Sequence, residues 1–425
     1  MSLYEFKRRD FLKLAGAASA LTLAGCATPE GGKARVVVIG GGFGGATAAK
    51  YIRMWDPSIE VVMVERLREF TSCPTSNLVI GGSRRIDEIQ RSYSGLGKRW
   101  GVKVLEDEAV SVDSEKRVVR LKRGGDLSYD RLVVSPGIDF MFGEIEGYET
   151  ALAAGTVVHA WKAGPQTVEL RAKLELMSNG GVFILGIPLM PFRCPPGPYE
   201  RVCQVASYLK QTKPRSKILV LDANQGIVSK GKLFQEAWNS LYKGLIEYRP
   251  QSKIVGIDGG TRTVKTEFGV VRGDVLNVVP PQMAGTIAAQ AGLVNVNRRW
   301  CEVNWLTCES TAAQNVHVIG DSTQGATGMP KSGHMANSQA KLCAAAVVAR
   351  INGVAPNPNP VVNNTCYSFV SPNEVVHVAS VHQWDAEKKT IVPVKGAGGV
   401  SPARNRLEAD YAWSWAQNIW ADMFG

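Results

Sequence analysis

Residues 190–203 read MPFRCPPGPYERVC and place two cysteines and four prolines within fourteen positions. Proline fixes φ and carries no N–H, so such a window cannot be a helix interior or a central strand. Cys194 is therefore held on a stiff loop, a perch suited to a redox or nucleophilic thiol. A buried structural thiol more often sits on a regular element. Disulfide chemistry needs a second sulfur, and Cys366 in TCYSFVSP, beyond the Pro/Asn-rich linker NGVAPNPNPVVNN, is a candidate. Glu200, six residues after Cys194 on the same loop, is the nearest proton acceptor. A carboxylate in a partly apolar site has its pKa raised toward the range useful for a base. The alternative for Glu200 is a surface residue paired with Arg201. Arg193 is placed to attract an anion or polarise a thiolate. Cys203, Cys301, Cys308 and Cys343 read as packing or structural cysteines. No Cys-x-x-Cys occurs and the five histidines are scattered singly, so zinc ribbons, thioredoxin-like sites and haem attachment are unsupported and no metal site is expected.

The elements that would position these residues begin with ARVVVIGGGFGGATAAKYIRMW. A β-branched run, Val36 to Ile39, turns into a glycine loop and then an Ala-rich helix. Gly40, Gly42 and Gly45 occupy the three glycine positions of G-x-G-x-x-G. The next strand, SIEVVMVER, ends in Glu65, twenty residues after Gly45 and followed by Arg66. At that spacing a carboxylate accepts a ribose hydroxyl, while the glycines let the backbone approach a pyrophosphate at the helix N-terminus. A glycine-rich turn with no ligand would leave Glu65 unexplained.

NVHVIGDSTQG near residue 320 reads as a buried strand ending in Gly320-Asp321, followed by MPKSGHMANSQAKLCAAAVVARING, a helix that stops near Gly353. This resembles the second FAD motif of glutathione-reductase-like flavoproteins with two dinucleotide domains. The resemblance implies that Asp321 holds the ribityl chain and that the MPKSG segment, with Lys331, leads a positive helix end toward the flavin. YDRLVVSPG matches the strand by which such chains leave the FAD domain. In that architecture a middle domain repeats the fold to bind NAD(P)H. Here its first strand, GGVFILGIPLMP, gives Gly186 but then Pro188 and Pro191 where the other glycines belong. Proline removes donors and adds a ring where the pyrophosphate must come close. Asp222, at the end of SKILVLDA, stands where a ribose carboxylate would, without a phosphate loop to serve. The expectation is a scaffold that kept its shape and lost NAD(P).

FRCPPGPYER, NTCYSF, AWKAG, VPPQ and MPKSG together resemble the flavoprotein subunit of flavocytochrome c sulfide dehydrogenase, over essentially the whole chain after the leader. The resemblance implies a redox-active disulfide, here Cys194–Cys366, above the flavin. It also implies FAD attached by an 8α-S-cysteinyl thioether to the position matched by Cys73, in REFTSCPTSN. Hydrosulfide would open the disulfide to a persulfide and a thiolate, and two electrons would pass to FAD. Which sulfur is attacked stays open. Haem c would lie on a cytochrome c partner subunit in a heterodimer, and Trp415 in the tail DYAWSWAQNIWADMFG could line the route. The plainer alternatives are a free surface thiol at Cys73, a structural Cys194–Cys366 bridge and ordinary packing at Trp415.

The implied fold class is α/β. A FAD-binding domain (33–147 and 288–357) and a degenerate NAD-type domain (148–287) are both Rossmann-like, and a C-terminal α+β domain (358–425) covers the flavin and meets the partner. Residues 1–30 read as a twin-arginine export signal, with Lys7-Arg8-Arg9, the short apolar run LAGAASALTLAG and then Cys26 in a lipoprotein-like box. The run is too short to span a bilayer, so no transmembrane segment is expected in the mature chain. The expected location is the periplasm, with a lipid anchor at Cys26 left open. The formal charge of +11 is dispersed without a Lys/Arg-rich block, which argues against nucleic acid. The competing functions are a sulfide:quinone oxidoreductase and a non-catalytic flavin accessory subunit of a thiosulfate-oxidising system.

Overall fold

The computed structural model describes residues 32–425; the export signal and Cys26 lie outside the described residues. The buried run Arg35–Ile39 pairs in parallel with Glu60–Glu65 on one side and Arg131–Val134 on the other. Lys103–Glu106 and Val316–Val318 extend the sheet, and two short antiparallel strands, Val303–Asn304 and Glu309–Ser310, complete seven. Strands buried on both faces read as continuous apolar runs, as VVVI and VVMV do. The helices Phe43–Trp55 and Gly333–Ile351 cover one face; Ala46, Ala49, Ala340 and Ala344 share its core with Val36 and Val38.

The first glycine loop is shaped by steric need. A Cβ on Gly45 would stand 1.8 Å from the Gly40 carbonyl oxygen, and Gly40 itself has φ +96°. Only glycine permits this closeness of helix to strand. The helix Gly333–Ile351 starts where Ser332 Oγ accepts from Met335 N and is followed by Gly353 at φ +68°.

A second, five-stranded parallel sheet runs in the order Val157–Val158, Val275–Val278, Val182–Ile187, Lys217–Asp222, Ile246–Arg249. It repeats the first sheet's logic, with Gly197–Thr212 as the helix after its central strand. The chain then forms three long antiparallel strands, Val361–Ser371, Glu374–Asp385 and Thr390–Val400, and a last helix, Leu407–Phe424. That helix returns to the first unit. Lys50 Nζ donates to the Asp422 carbonyl at 2.8 Å, Tyr51 Oη to the Asp422 carboxylate at 2.6 Å and Trp100 Nε1 to the Gly425 carbonyl at 2.7 Å. Among the described residues no helix is long and apolar enough to cross a membrane.

Candidate functional site

One cavity of about 610 Å³ runs from the glycine loop to the C-terminal strands. Gly40, Gly42, Glu65, Arg66, Cys73, Cys194, Glu200, Gly320, Asp321, Cys366 and Trp415 all line it. Gly45 stays behind the loop as the close-packing glycine. Residues more than 290 positions apart in sequence thus meet on one wall.

At the dinucleotide end, Glu65 accepts from Gly41 N at 2.6 Å and from Leu67 N at 2.9 Å, which fixes its carboxylate at the strand end. The helix beginning at Phe43 has no side-chain cap, and a Cβ on Gly42 would meet nothing within 4 Å. The helix N-terminus is open toward the cavity, as an anion requires. At the other motif Asp321 is buried, its Oδ1 has no hydrogen-bond partner, and burial raises its pKa. An orphaned buried acceptor on a cavity wall is costly unless a ligand hydroxyl meets it. The residues present therefore fit an FAD, which Gly40, Gly42 and the helix start would hold at the pyrophosphate, Glu65 at a ribose and Asp321 at the ribityl chain.

Lys331 departs from expectation. Its ammonium donates to the Asp321 carbonyl at 3.0 Å and to the Thr323 carbonyl, and lies 3.6 Å from the centre of the Trp300 ring. It does not line the cavity and serves as a staple for the turn carrying Asp321; burial lowers its pKa to about 8. Its main-chain carbonyl, however, accepts from Cys194 N at 2.8 Å and so anchors the cysteine loop.

Cys194 sits at φ +59° on that loop. Arg193 N donates to Gln282 Oε1 at 2.8 Å, and the Arg193 guanidinium is spent on the Trp161 carbonyl. A Cβ on Gly197 would fall 2.8 Å from Cys194 Sγ and 3.0 Å from the Trp161 ring, so the loop is packed closely there. Cys366 lies on the strand Val361–Ser371, and Asn364 Nδ2 donates to its sulfur at 3.4 Å. Both cysteines are half-buried free thiols, and Cys366 adds to the cost of a negative charge on Cys194. Burial pushes both thiols up.

Glu200 is not on the loop. It stands in the first turn of the helix Gly197–Thr212, which starts directly after the prolines because proline is tolerated there. Nor is it paired with Arg201 at the surface. Its Oε2 accepts from Asn77 Nδ2 at 2.7 Å and its Oε1 from Phe369 N at 2.8 Å. Burial raises its pKa. Arg201 points elsewhere, donating to Asn77 Oδ1, Asn277 Oδ1 and the carbonyls of His159 and Ala160.

Cys73 precedes the helix Ser76–Gly81; its sulfur accepts from Ala163 N at 3.4 Å and faces the cavity. Trp415 lies between His334 and Tyr367, with ring centres 5.8 and 6.1 Å away. In the second sheet Asp222 is fully buried and accepts from Tyr199 Oη at 2.7 Å, Tyr248 Oη at 2.9 Å and Asn224. Its carboxylate is turned into the fold. Cys203, Cys301, Cys308 and Cys343 are buried, Cys203 beside Trp238 and Cys343 beside Cys308. Sequence reasoning assigned no role to Asn77, Trp161 or Lys230, whose roles depend on contacts across the fold; Asn77, in the same TSCPTSN segment as Cys73, and Trp161, in AWKAG, carried a nearby signal.

Two dinucleotide folds and a cysteine-bearing cavity between them define the pyridine nucleotide-disulphide oxidoreductase class, whose model matches residues 34–173. More narrowly, residues 167–280 match the central model of the sulfide dehydrogenase [flavocytochrome c] flavoprotein chain, and residues 358–424 match the flavocytochrome c sulphide dehydrogenase flavin-binding model. The chain belongs to the family of flavocytochrome c sulfide dehydrogenase flavoprotein chains. It is 60% identical over 48 residues, 11% of this chain and 100% of the relative, to a sulfide dehydrogenase [flavocytochrome c] flavoprotein chain of Chlorobaculum thiosulfatiphilum. It is 24% identical over 309 residues to a mitochondrial sulfide:quinone oxidoreductase of Dictyostelium discoideum, covering 68% of this chain and 65% of that one. The chain thus spans 65% of the length of that relative. A solved sulfide:quinone oxidoreductase of Aquifex aeolicus superposes with a TM-score of 0.73 at 19% identity, covering 92% of this chain and 91% of that one.

Proposed function

We propose that this chain is the flavin-bearing subunit of a periplasmic sulfide dehydrogenase. It would oxidise hydrosulfide to sulfur or polysulfide through a Cys194–Cys366 redox disulfide, with FAD held covalently at Cys73. The observation that carries this reading is the meeting of Cys194, Cys366, Glu200 and Cys73 with both dinucleotide motifs on one cavity. FAD supplies a two-electron acceptor there. The chain's own residues do the rest. The glycine loop and Glu65 hold the dinucleotide, and the Lys331 carbonyl and the Pro-rich loop hold Cys194 in place. Glu200, with its raised pKa, takes the S–H proton of the cysteine persulfide once the disulfide has been opened. NAD(P)H is not the electron source in this scheme, because Pro188 and Pro191 stand at the glycine positions and Asp222 is occupied by Tyr199 and Tyr248.

Electrons leave to the haem c of a cytochrome c partner. The family supports that acceptor, and the acidic residues of the tail suit an anionic membrane poorly. The likeness to sulfide:quinone oxidoreductases favours quinone as the second reading. Steady-state assays with sulfide and either cytochrome c or decyl-quinone decide between them. Turnover with cytochrome c and the holo-complex is expected; turnover with decyl-quinone alone would move the chain to the second reading, and neither would leave an accessory flavin subunit.

A further inference from the structure

Lys230 is a buried lysine at φ +56°, just before the helix Gly231–Leu241. Its ammonium donates to the Cys366 carbonyl at 3.0 Å, to Ser368 Oγ at 2.7 Å and to the Val376 carbonyl at 3.2 Å. An ammonium has three donors, and all three are used on neutral acceptors. Glu200 and Glu408 act on it only through their fields, together with Cys366 and Cys194. A buried cation with no carboxylate in contact is expensive unless an anion appears beside it.

Along a strand, residues two apart share a face. Asn364, Cys366 and Ser368 therefore line one face of Val361–Ser371, and an ammonium bonded to Ser368 Oγ stands on the Cys366 side-chain face. On the other flank the Asn364 amide meets Cys366 Sγ with both ends, Nδ2 at 3.4 Å and Oδ1 at 3.5 Å, and Oδ1 also accepts from Ser332 Oγ, so once the thiol has lost its proton Nδ2 is the end left to donate to it. Cys194 has no such provision. Its sulfur receives no hydrogen bond among the described residues, and the Arg193 guanidinium beside it is committed to the Trp161 carbonyl.

We propose that Lys230 is a positioning residue that makes Cys366 the sulfur carrying the negative charge when the disulfide opens, and so assigns Cys194 as the sulfur that hydrosulfide attacks. This rests on the sulfide chemistry proposed above and adds its direction. In that step HS⁻ attacks Cys194 Sγ, a new S–S bond forms, and the Cys194–Cys366 bond breaks. The bonding pair leaves on Cys366 as thiolate, giving Cys194–S–SH and Cys366–S⁻ with charge, atoms and electrons conserved. The groups facing the Cys366 sulfur are Lys230, Asn364 and Ser332, which favour the anion, and Glu200, which opposes it. Cys194 is opposed by Cys366 and Glu200 and favoured by Arg193 and Lys230. Burial lowers the Lys230 pKa to about 8, so the charge is present at neutral pH.

The test is the pH profile of alkylation in the anaerobically reduced holoprotein, read by peptide mapping. In the wild type, iodoacetamide should modify Cys366 before Cys194. Lys230→Met should raise the apparent pKa of Cys366 by about one unit, a roughly tenfold loss of rate at fixed pH below it, and Lys230→Arg should restore most of it. Ser368→Ala, which removes one anchor of the ammonium and keeps the charge, should give a smaller shift in the same direction and decides the matter if Lys230→Met does not fold. Sulfide added to the oxidised wild type and trapped with iodoacetamide should leave the persulfide on Cys194. An unchanged profile in Lys230→Met and Ser368→Ala, Cys194 reacting first, or the persulfide on Cys366 would each overturn the assignment. Should sulfide not react at all, the proposed activity fails, while the alkylation profiles still decide whether Lys230 sets the thiolate.

Discussion

Replacing Glu200 by glutamine tests the proton acceptor with almost no change of shape. The carboxylate accepts two hydrogen bonds, from Asn77 Nδ2 at 2.7 Å and Phe369 N at 2.8 Å. Asn77 cannot simply turn its amide over to suit a glutamine, because its Oδ1 accepts from Arg201 Nε at 3.0 Å. The glutamine therefore keeps one accepted bond and sets an N–H against a donor at the other. Losing a hydrogen bond to a charged group costs about 1.5–3 kcal/mol, which relief of the buried charge partly offsets. Removing a positioned base costs about 10²- to 10⁴-fold in rate, or roughly 3–5 kcal/mol of barrier. The catalytic loss should exceed the stability loss, and the pH profile separates them further. Burial holds the Glu200 pKa above the ordinary 4.5, and the active form is ionised. Wild-type kcat/KM should thus rise with pH as Glu200 loses its proton, and that limb should vanish in Glu200→Gln while the folded, flavin-bound fraction persists. A variant that keeps the limb and turns over within about threefold of wild type would remove Glu200 from the reaction.

Cys73→Ser should release FAD into the supernatant on acid precipitation, whereas wild-type pellets stay yellow; free FAD from wild type would end the covalent assignment. NADH should neither bind tightly nor reduce the flavin in stopped-flow traces, and rapid bleaching would show that the second sheet still holds a nicotinamide site. Gly45→Ala puts a Cβ 1.8 Å from the Gly40 carbonyl oxygen, so helix and strand must part. A stability loss of at least about 1–3 kcal/mol with lower flavin content is expected in thermal melts, and an unchanged melt with full flavin would contradict the packing argument.

The strand, glycine and helix order around Gly40 and the Gly320-Asp321 strand end could be read directly, because local spacing alone sets them. The parallel strand at Val182–Ile187 was legible for the same reason, even with its phosphate loop replaced. Residues whose role depends on which way a long side chain turns were not. Lys331 lies in a motif at the right place, yet its ammonium turns inward to two carbonyls and the Trp300 ring. The prolines before Glu200 read as a loop and hide the start of the helix Gly197–Thr212, in whose first turn it stands. Asp222 was legible as a strand-end acid, but the two tyrosine hydroxyls that bind it come from Tyr199 and Tyr248, 23 and 26 residues further along or back. Lys230 carried no local signal at all, since its acceptors lie more than 130 residues away.

The chemistry assigned to the cavity is tested most directly by anaerobic titration of the oxidised protein with sulfide, followed by the flavin absorbance, in wild type, Cys194→Ala and Cys366→Ala. Sulfide should bleach the wild-type flavin, while each variant keeps its FAD and its fold and stays oxidised. The double variant should be no worse than either single one, because all three lack the same disulfide. A wild-type flavin that sulfide leaves oxidised, or either single variant bleaching at the wild-type rate, would contradict oxidation of sulfide through Cys194 and Cys366.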